Sequence, residues 1–408
     1  MNPQRRRVAI TGMGAVSPYG EGADPLWQGL RDGIGAIGPL RHPASAQVRI
    51  KMAAQVPESF DPSCQFAENV LPLLDRTSQF ALLAAREAIT QAGLDFTAND
   101  LGRRTAVVIG TGVGGEGTRD EQSRRIYAEG SVRMHPLTIV RMMPNAPACQ
   151  ISMAYGLRGP AFGVVGACAS SNHALAQAAL LIRAGLADVA IAGGTEACFT
   201  LSGLRAWEAM RVLSDETCRP FSSNRRGLVL GEGAGVFVLE AMEHAQARGA
   251  VTLAELAGVG MTADAGDIAA PDPAGAAAAM AQALEDADLS AADVDYINAH
   301  GTGTRANDPS ETQAIHRAFG GHARKLMVSS TKSMHGHALG ASGALELIAV
   351  LGALREDTVP PTANLDEADP ACDLDYVPNT ARKKHVRAAL SNSFAFGGLN
   401  AVLALKRA

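Results

Sequence analysis

The chain has 408 residues, of which 47% are hydrophobic and only 4% aromatic, with 43 glycines and a formal net charge of −5. That length asks for two domains or one duplicated unit, and the abundance of small residues suits an α/β class of closely packed strands and helices. The charge supplies no overall basic field for nucleic acid, the six scattered cysteines make neither a C-x-x-C pair nor a zinc-ligand cluster, and no run of about 18 apolar residues could span a membrane.

The opening Met-Asn-Pro-Gln-Arg-Arg-Arg is basic, but glycines interrupt the apolar stretch behind it too early for a signal peptide. A soluble, reduced, cytoplasmic protein without a structural metal is expected. Val8 to Ile10 reads as a strand ending in Thr-Gly-Met-Gly, and Ser78 to Gly93 as an Ala- and Leu-rich helix. Ala106 to Ile109 reads as a second strand. The glycines after it, Gly110, Gly112, Gly114 and Gly115, look like a phosphate loop, but no acidic residue follows where a dinucleotide site needs one. They are read instead as pocket wall, with Val113 near the far end of the pocket. Phe162 to Cys168 leads into a small-residue helix from Ala169 to Gly185, and Val189 to Ala192 is a further strand. Helix-like Glu240 to Arg248 followed by strand-like Val251 to Gly258 marks a seam where the order restarts. Beyond it Leu326 to Lys332 leads into Met334 to Leu351, repeating the strand, polar turn and Ala/Gly-rich helix of the Cys168 region. Alternating strands and helices predict a sheet buried on both faces, in two halves, 1–250 and 251–408.

Cys168 stands in Val-Val-Gly-Ala-Cys-Ala-Ser-Ser-Asn-His, between a strand end and a helix start. Free amides and the helix dipole there favour a thiolate, lowering a thiol pKa ordinarily about 8.5. A lone cysteine at such a junction is more often a small buried hydrophobe, so its surroundings decide. His300 in Tyr-Ile-Asn-Ala-His-Gly-Thr-Gly-Thr and His337 in Ser-Met-His-Gly-His-Ala-Leu-Gly-Ala-Ser-Gly occupy two more polar strand ends. Doubly wound sheets turn such ends toward one crevice, which makes a Cys-His-His set.

These motifs, together with Thr-Gly-Met-Gly-Ala-Val-Ser-Pro, Tyr-Gly-Leu-Arg-Gly-Pro (155 to 160), Gly-Glu-Gly-Ala-Gly (231 to 235) and Asn-Ser-Phe-Ala-Phe-Gly-Gly (392 to 398), occur in order from Arg7 to about Lys406. The chain thereby resembles the elongating 3-oxoacyl-[acyl-carrier-protein] synthases of type II and their polyketide ketosynthase relatives. The resemblance implies a thiolase fold, a duplicated five-layer αβαβα arrangement with the nucleophile in the first half and both histidines in the second. It implies a decarboxylative Claisen condensation in fatty-acid or type II polyketide or polyene biosynthesis. Cys168 takes the acyl group, while neutral His300 and His337 stabilise the enolate formed from malonyl on acyl carrier protein. It assigns the oxyanion hole to the amides of Cys168 and Phe396 and the gate to the Phe396 side chain. Lys332, partnered by Glu311 and Glu346, supports the geometry, and Thr302 and Thr304 hold the phosphopantetheine arm. No cofactor is implied beyond the arm the carrier brings. The implied assembly is a homodimer, or a heterodimer with a silent chain-length-factor subunit.

Alternatives weigh less. A thiolase has a second cysteine where Phe394 and Phe396 stand, initiating synthases carry Asn where His337 stands, and chain-length factors lack the cysteine that is present here. His335 is read as a surface or supporting residue and His173 as packing on the helix after Cys168. Departures from the resemblance are Ser222, Arg226 and Leu228, which put local salt bridges in doubt. Ala395 and Leu399 in the gate loop are two more, and Ala395 predicts restricted motion because Ala adopts positive φ less readily than Gly. Ala269 and Leu73, where threonine and basic residues are usual, suggest a dedicated carrier protein.

Overall fold

The computed structural model describes residues 5–408. Its first half contains β1 (Val8–Ser17), α1 (Arg76–Ala92), β2 (Thr105–Gly110), β3 (Ala161–Val164), α2 (Ser170–Arg183), β4 (Val189–Glu196) and β5 (Gly233–Ala241). The second contains β6 (Ala254–Ala263), α3 (Pro273–Asp286), β7 (Tyr296–Asn298), β8 (Met327–Ser329), α4 (Ser342–Glu356), β9 (Ala388–Ala395) and β10 (Leu399–Arg407). The strands run across one sheet in the order β3-β2-β4-β5-β1-β6-β10-β9-β7-β8, with the short strand Gly20–Glu21 hung on β1.

That order reads the same from both ends. β2 pairs in parallel with β3 and β4, and antiparallel pairings join β4 to β5 and β5 to β1. In the same sequence β7 pairs in parallel with β8 and β9, and antiparallel pairings join β9 to β10 and β10 to β6. Within the sheet, β1 and β6 join the halves through two residue pairs, Ala9 with Glu255 and Ile10 with Ala254. Between the two half-sheets lie α2 and α4, and α1 and α3 cover the outer faces, giving five layers. α4 is buried without a break from Ser342 to Leu354, apolar on all sides but for Ser342 and Glu346, the latter paired with Lys332.

Local chemistry sets the boundaries. The Asp75 side chain accepts the Thr77 N–H at the start of α1, and Gly93 ends the helix in the left-handed conformation. The outer helices ride close on their strands because the strands offer glycine. A Cβ at Gly12 or Gly14 would stand 2.1 or 2.2 Å from the Ala88 or Ala84 carbonyl oxygen of α1, and one at Gly258 or Gly260 would stand 2.3 or 1.9 Å from Ala283 or Ala279 oxygen of α3.

Three sequence expectations shift. The helix expected from Met334 to Leu351 is broken into a turn of helix at Lys332–His335, a 3-10 turn at Leu339–Ala341 and α4, with Gly336 at φ 67° and Leu339 at φ 47° in the breaks. The helix expected from Ala169 starts at Ser170, behind a 3-10 turn at Ala167–Ala169. Glu240, taken as helical, closes β5, and the helix is Met242–Ala247. Among the described residues no helix is long and apolar enough to cross a membrane, and no His, Cys, Asp and Glu cluster could hold a metal.

Candidate active site

Cys168 lies on the 3-10 turn between β3 and α2, behind Ala167 at φ 47°, a conformation few residues with a Cβ adopt. Cys168 is 6% exposed. Burial pushes its thiol from 9.0 up to about 12 and the Glu196 charge adds to the rise, while the Lys332 charge and the N–H groups of Cys168 and Phe396 pull the other way. This corrects the expected thiolate. A helix terminus contributes about 0.3–1 kcal/mol to a charge, whereas three pKa units amount to about 4 kcal/mol, so lost hydration prevails and the resting group is a thiol.

His300 follows β7, and its peptide is held from both sides. Lys332 Nζ donates to the His300 carbonyl at 2.7 Å, and Glu311 accepts the N–H groups of His300 and Gly301, each at 2.8 Å. Lys332 forms its ion pair with Glu346. The expected trio is thus corrected. Glu311 does not pair with Lys332 but receives backbone amides and Asn392 Nδ2 at 3.2 Å, so the two carboxylates serve one purpose by different contacts.

His337 is oriented by its own turn. The Leu339 N–H donates to Nδ1 at 3.2 Å, and Ser342 Oγ, at the start of α4, lies 2.7 Å from the same nitrogen. An Nδ1 that accepts places the ring proton on Nε2. The rings of His300 and His337 stand 5.5 Å apart, edge to face at 84°. Burial first, then the Lys332 charge, holds both imidazoles well below the usual histidine range. Both are neutral and able to donate a hydrogen bond.

Phe396 sits at the tip of the β9–β10 hairpin, its ring 6.3 Å from that of Trp207. Ala395 and Leu399 are the closing pair of this hairpin, and the positive φ values fall on Gly397 (81°) and Gly398 (68°). Ala395 therefore meets no left-handed backbone here, so the ground given for a restricted or reshaped gate does not apply. Instead the tip is tied to a neighbouring loop by Gly397 N–H to Ile268 oxygen at 2.8 Å and Asp264 N–H to Gly398 oxygen at 2.9 Å.

Cys168, His300, His337, Phe396, Thr302 and Thr304 all line one cavity of about 230 Å³, and the two threonine hydroxyls are 3.0 Å apart. Ala269 and Leu228 are on its wall, but Val113 and the glycines read as pocket wall are not. His335 is fully buried with Nε2 3.0 Å from Thr331 Oγ1, which corrects the surface reading. His173 packs in α2 with Nδ1 3.0 Å from the Ala169 carbonyl. Where Ser222 and Arg226 left ion pairs in doubt, Arg225 supplies them, to Asp369 at 2.5 Å and Asp308 at 3.8 Å. The roles of Ser342 and the Leu339 amide were not anticipated. Ser342 stands in the quoted motif five residues after His337, and its meaning emerges only once Gly336 and Leu339 fold the turn back.

A nucleophile at a helix start, facing two neutral imidazoles inside a duplicated αβαβα fold, defines a carbon–carbon condensing enzyme of the thiolase fold. Residues 5–245 match the family described as beta-ketoacyl synthase, N-terminal domain, and residues 253–366 its C-terminal domain. The chain belongs to the beta-ketoacyl synthase family. It is 51% identical over 404 residues to nodulation protein E of Rhizobium sp. (strain N33), covering 98% of this chain and 99% of that one. It is 41% identical over 417 residues to 3-oxoacyl-[acyl-carrier-protein] synthase 2 of Synechocystis sp., covering 100% and 99%. Among solved structures, it superposes with a TM-score of 0.91 and 32% identity, over 99% of this chain and 100% of the other, on a type II polyketide ketosynthase bound to a hexaketide and in complex with its acyl carrier protein.

Proposed function

We propose that this enzyme transfers an acyl group from a carrier thioester to Cys168 and joins it to malonyl on acyl carrier protein, releasing carbon dioxide and 3-oxoacyl carrier protein. In the first step the sulfur–carbon bond to Cys168 forms, the carrier's carbon–sulfur bond breaks, and the thiol proton passes to the departing carrier sulfur. Because the resting group is a thiol, it ionises as it attacks, between the N–H groups of Cys168 and Phe396 that face the sulfur. Malonyl then loses carbon dioxide, and its thioester oxygen gathers charge under the donors of His300 and His337. The enolate carbon attacks the acyl carbonyl, the Cys168 sulfur leaves, and the two amides hold the intermediate oxyanion. Thr302 and Thr304 hold the pantetheine arm. Lys332, Glu311 and Glu346 fix the His300 peptide.

The observation that carries this reading is the pair of neutral imidazoles on the same cavity as Cys168. We place the seam of the two halves at 250/251. The reading includes a homodimer, supported by the free edge of β3, and a dedicated carrier protein, supported by Ala269 on the cavity wall and by Leu73, 39% exposed.

Two assays on each variant test it: radiolabelled carbon dioxide release from malonyl carrier protein, and acyl-enzyme formation by intact mass. Cys168→Ala is expected to lose acylation and condensation yet still release carbon dioxide. His300→Ala and His337→Ala are each expected to lose about two to three powers of ten in decarboxylation, the usual effect of deleting one oxyanion donor, while acylation survives better. Normal decarboxylation in either histidine variant would refute this division of labour.

A further inference from the structure

Glu196, the last residue of β4, is a fully buried carboxylate that the chemistry above leaves unused. Its Oε2 accepts the N–H groups of Gly112 at 2.6 Å and Gly340 at 2.9 Å. Its Oε1 accepts the Thr111 hydroxyl at 3.0 Å and, at a longer 3.4 Å, the Val113 N–H. None of the four is a cation. Burial pushes the carboxyl up to about 7, and the amide and hydroxyl donors pull it back. A protonated carboxyl would set its O–H against one of these donors, so the contacts suit the ionised form. A buried carboxylate without a counter-cation is expensive, and hydrophobic packing would have served for mere cohesion.

What it grips explains its place. Gly340 comes three residues after His337, and the intervening Leu339 supplies the amide that orients His337 Nδ1. The Gly340 carbonyl is held in turn by Ser171 Oγ, three residues after Cys168. A Cβ on Gly340 would stand 2.3 Å from Gly112 N, so the two loops touch backbone to backbone. Glu196 thus rivets the His337 turn of the second half to the end of β2 in the first.

We propose that Glu196 is a positioning residue: by holding the Gly340 amide it sets where the His337 Nε2 donor stands beside His300, and it acts on decarboxylation through His337. This rests on the role of His337 proposed above.

The test is a double-mutant cycle on full-length enzyme with malonyl carrier protein, reading carbon dioxide release and acyl-enzyme formation. Glu196→Gln keeps the shape but turns an N–H₂ toward donors. Displacing a donor takes less than deleting it, so carbon dioxide release is expected to fall roughly tenfold to a hundredfold, against 10²–10³ for outright removal, with acylation at or above the parent level, since loss of the Glu196 charge eases ionisation of Cys168. In a His337→Ala background the same change is expected to add no further loss, whereas in His300→Ala it adds its loss again. An equal loss with and without His337, or an equal fall in acylation and decarboxylation, overturns the proposal. Should His337→Ala itself decarboxylate normally, the reading beneath it fails and the proposal falls with it. If Glu196→Gln does not fold, Ser171→Ala loosens the other side of Gly340 and is expected to give a smaller loss with the same dependence on His337. Independence from His337 there overturns the proposal equally.

Discussion

At the scale of single residues, burial governs the site more than local sequence does. The identities of Cys168, His300 and His337 were legible because each sits in a polar, small-residue turn that follows a strand, although a helical turn at Lys332–His335 stands between β8 and His337. Their protonation was only half legible: the dipole argument for Cys168 counted the helix start and missed the loss of water. The partner of Lys332 was likewise half legible, since two carboxylates at plausible spacing cannot be told apart until Glu311 is seen to face the amides of His300 and Gly301. His335 gives a measurable consequence. Burial first, then the Lys332 charge, lowers it from 6.5 to about 3, so between these values the unfolded chain binds a proton that the folded one refuses. Its contribution therefore favours the fold above pH 6.5 and is lost as pH falls below it. The stability advantage of the parent over His335→Gln is expected to shrink by about 1 kcal/mol between pH 6.5 and 5.5, read by urea unfolding at each pH. A pH-independent difference would mean that His335 is hydrated.

At the scale of elements, the strand-glycine pairs decide how close the outer helices lie. Gly12 with Gly14, and Gly258 with Gly260, are separated by two, the period that brings both to one face of a strand. The glycines were visible in the sequence, but their function was not, since which helix face meets them, the Ala88 carbonyl of α1 or the Ala279 carbonyl of α3, is set by packing rather than by neighbouring residues. Gly260→Ala is expected to destabilise by about 1–3 kcal/mol, the usual effect of overpacking. Gly35→Ala, where a Cβ meets nothing within 4 Å, is expected to stay within about 0.5 kcal/mol of the parent. Equal midpoints in urea would show that α3 moves away without loss. Breaks in helices were the least legible feature: Gly336, Gly340 and Gly343 are signals of interruption in an otherwise helix-forming stretch from Met334 to Leu351, but the left-handed Leu339 among them carries no local signal.

At the scale of the whole molecule, the two ends of the sheet differ. β8 is covered, since the Val328 N–H donates to the Asp375 carbonyl at 2.8 Å. Among the described residues β3 pairs only with β2, and it carries exposed Phe162 and is followed by exposed Val165, 37% and 57% accessible. A bare apolar edge invites another strand, and for the proposed homodimer it is the seat of the second copy. Val165→Asp is expected to shift the dimer to monomer in light scattering at micromolar concentration, and a parent that is active as a monomer would refute that assembly. The duplication was legible as a repeated strand, turn and helix, because both central helices must be small-residued to lie between two half-sheets. Its mirror order was not, because pairing across β1 and β6 leaves no local mark. At the centre, the first turn of α2 touches the 3-10 turn that leads into α4 through Ser171 and Gly340. The same strand, turn and helix corner therefore appears twice, face to face, within a single chain. Two identical separate halves would have to present the same side chains at both corners, two sulfurs or two imidazoles. A single chain escapes that constraint, and here one corner carries Cys168 and the other His337, a pair of unlike groups that no exactly symmetric assembly of identical halves can place opposite each other.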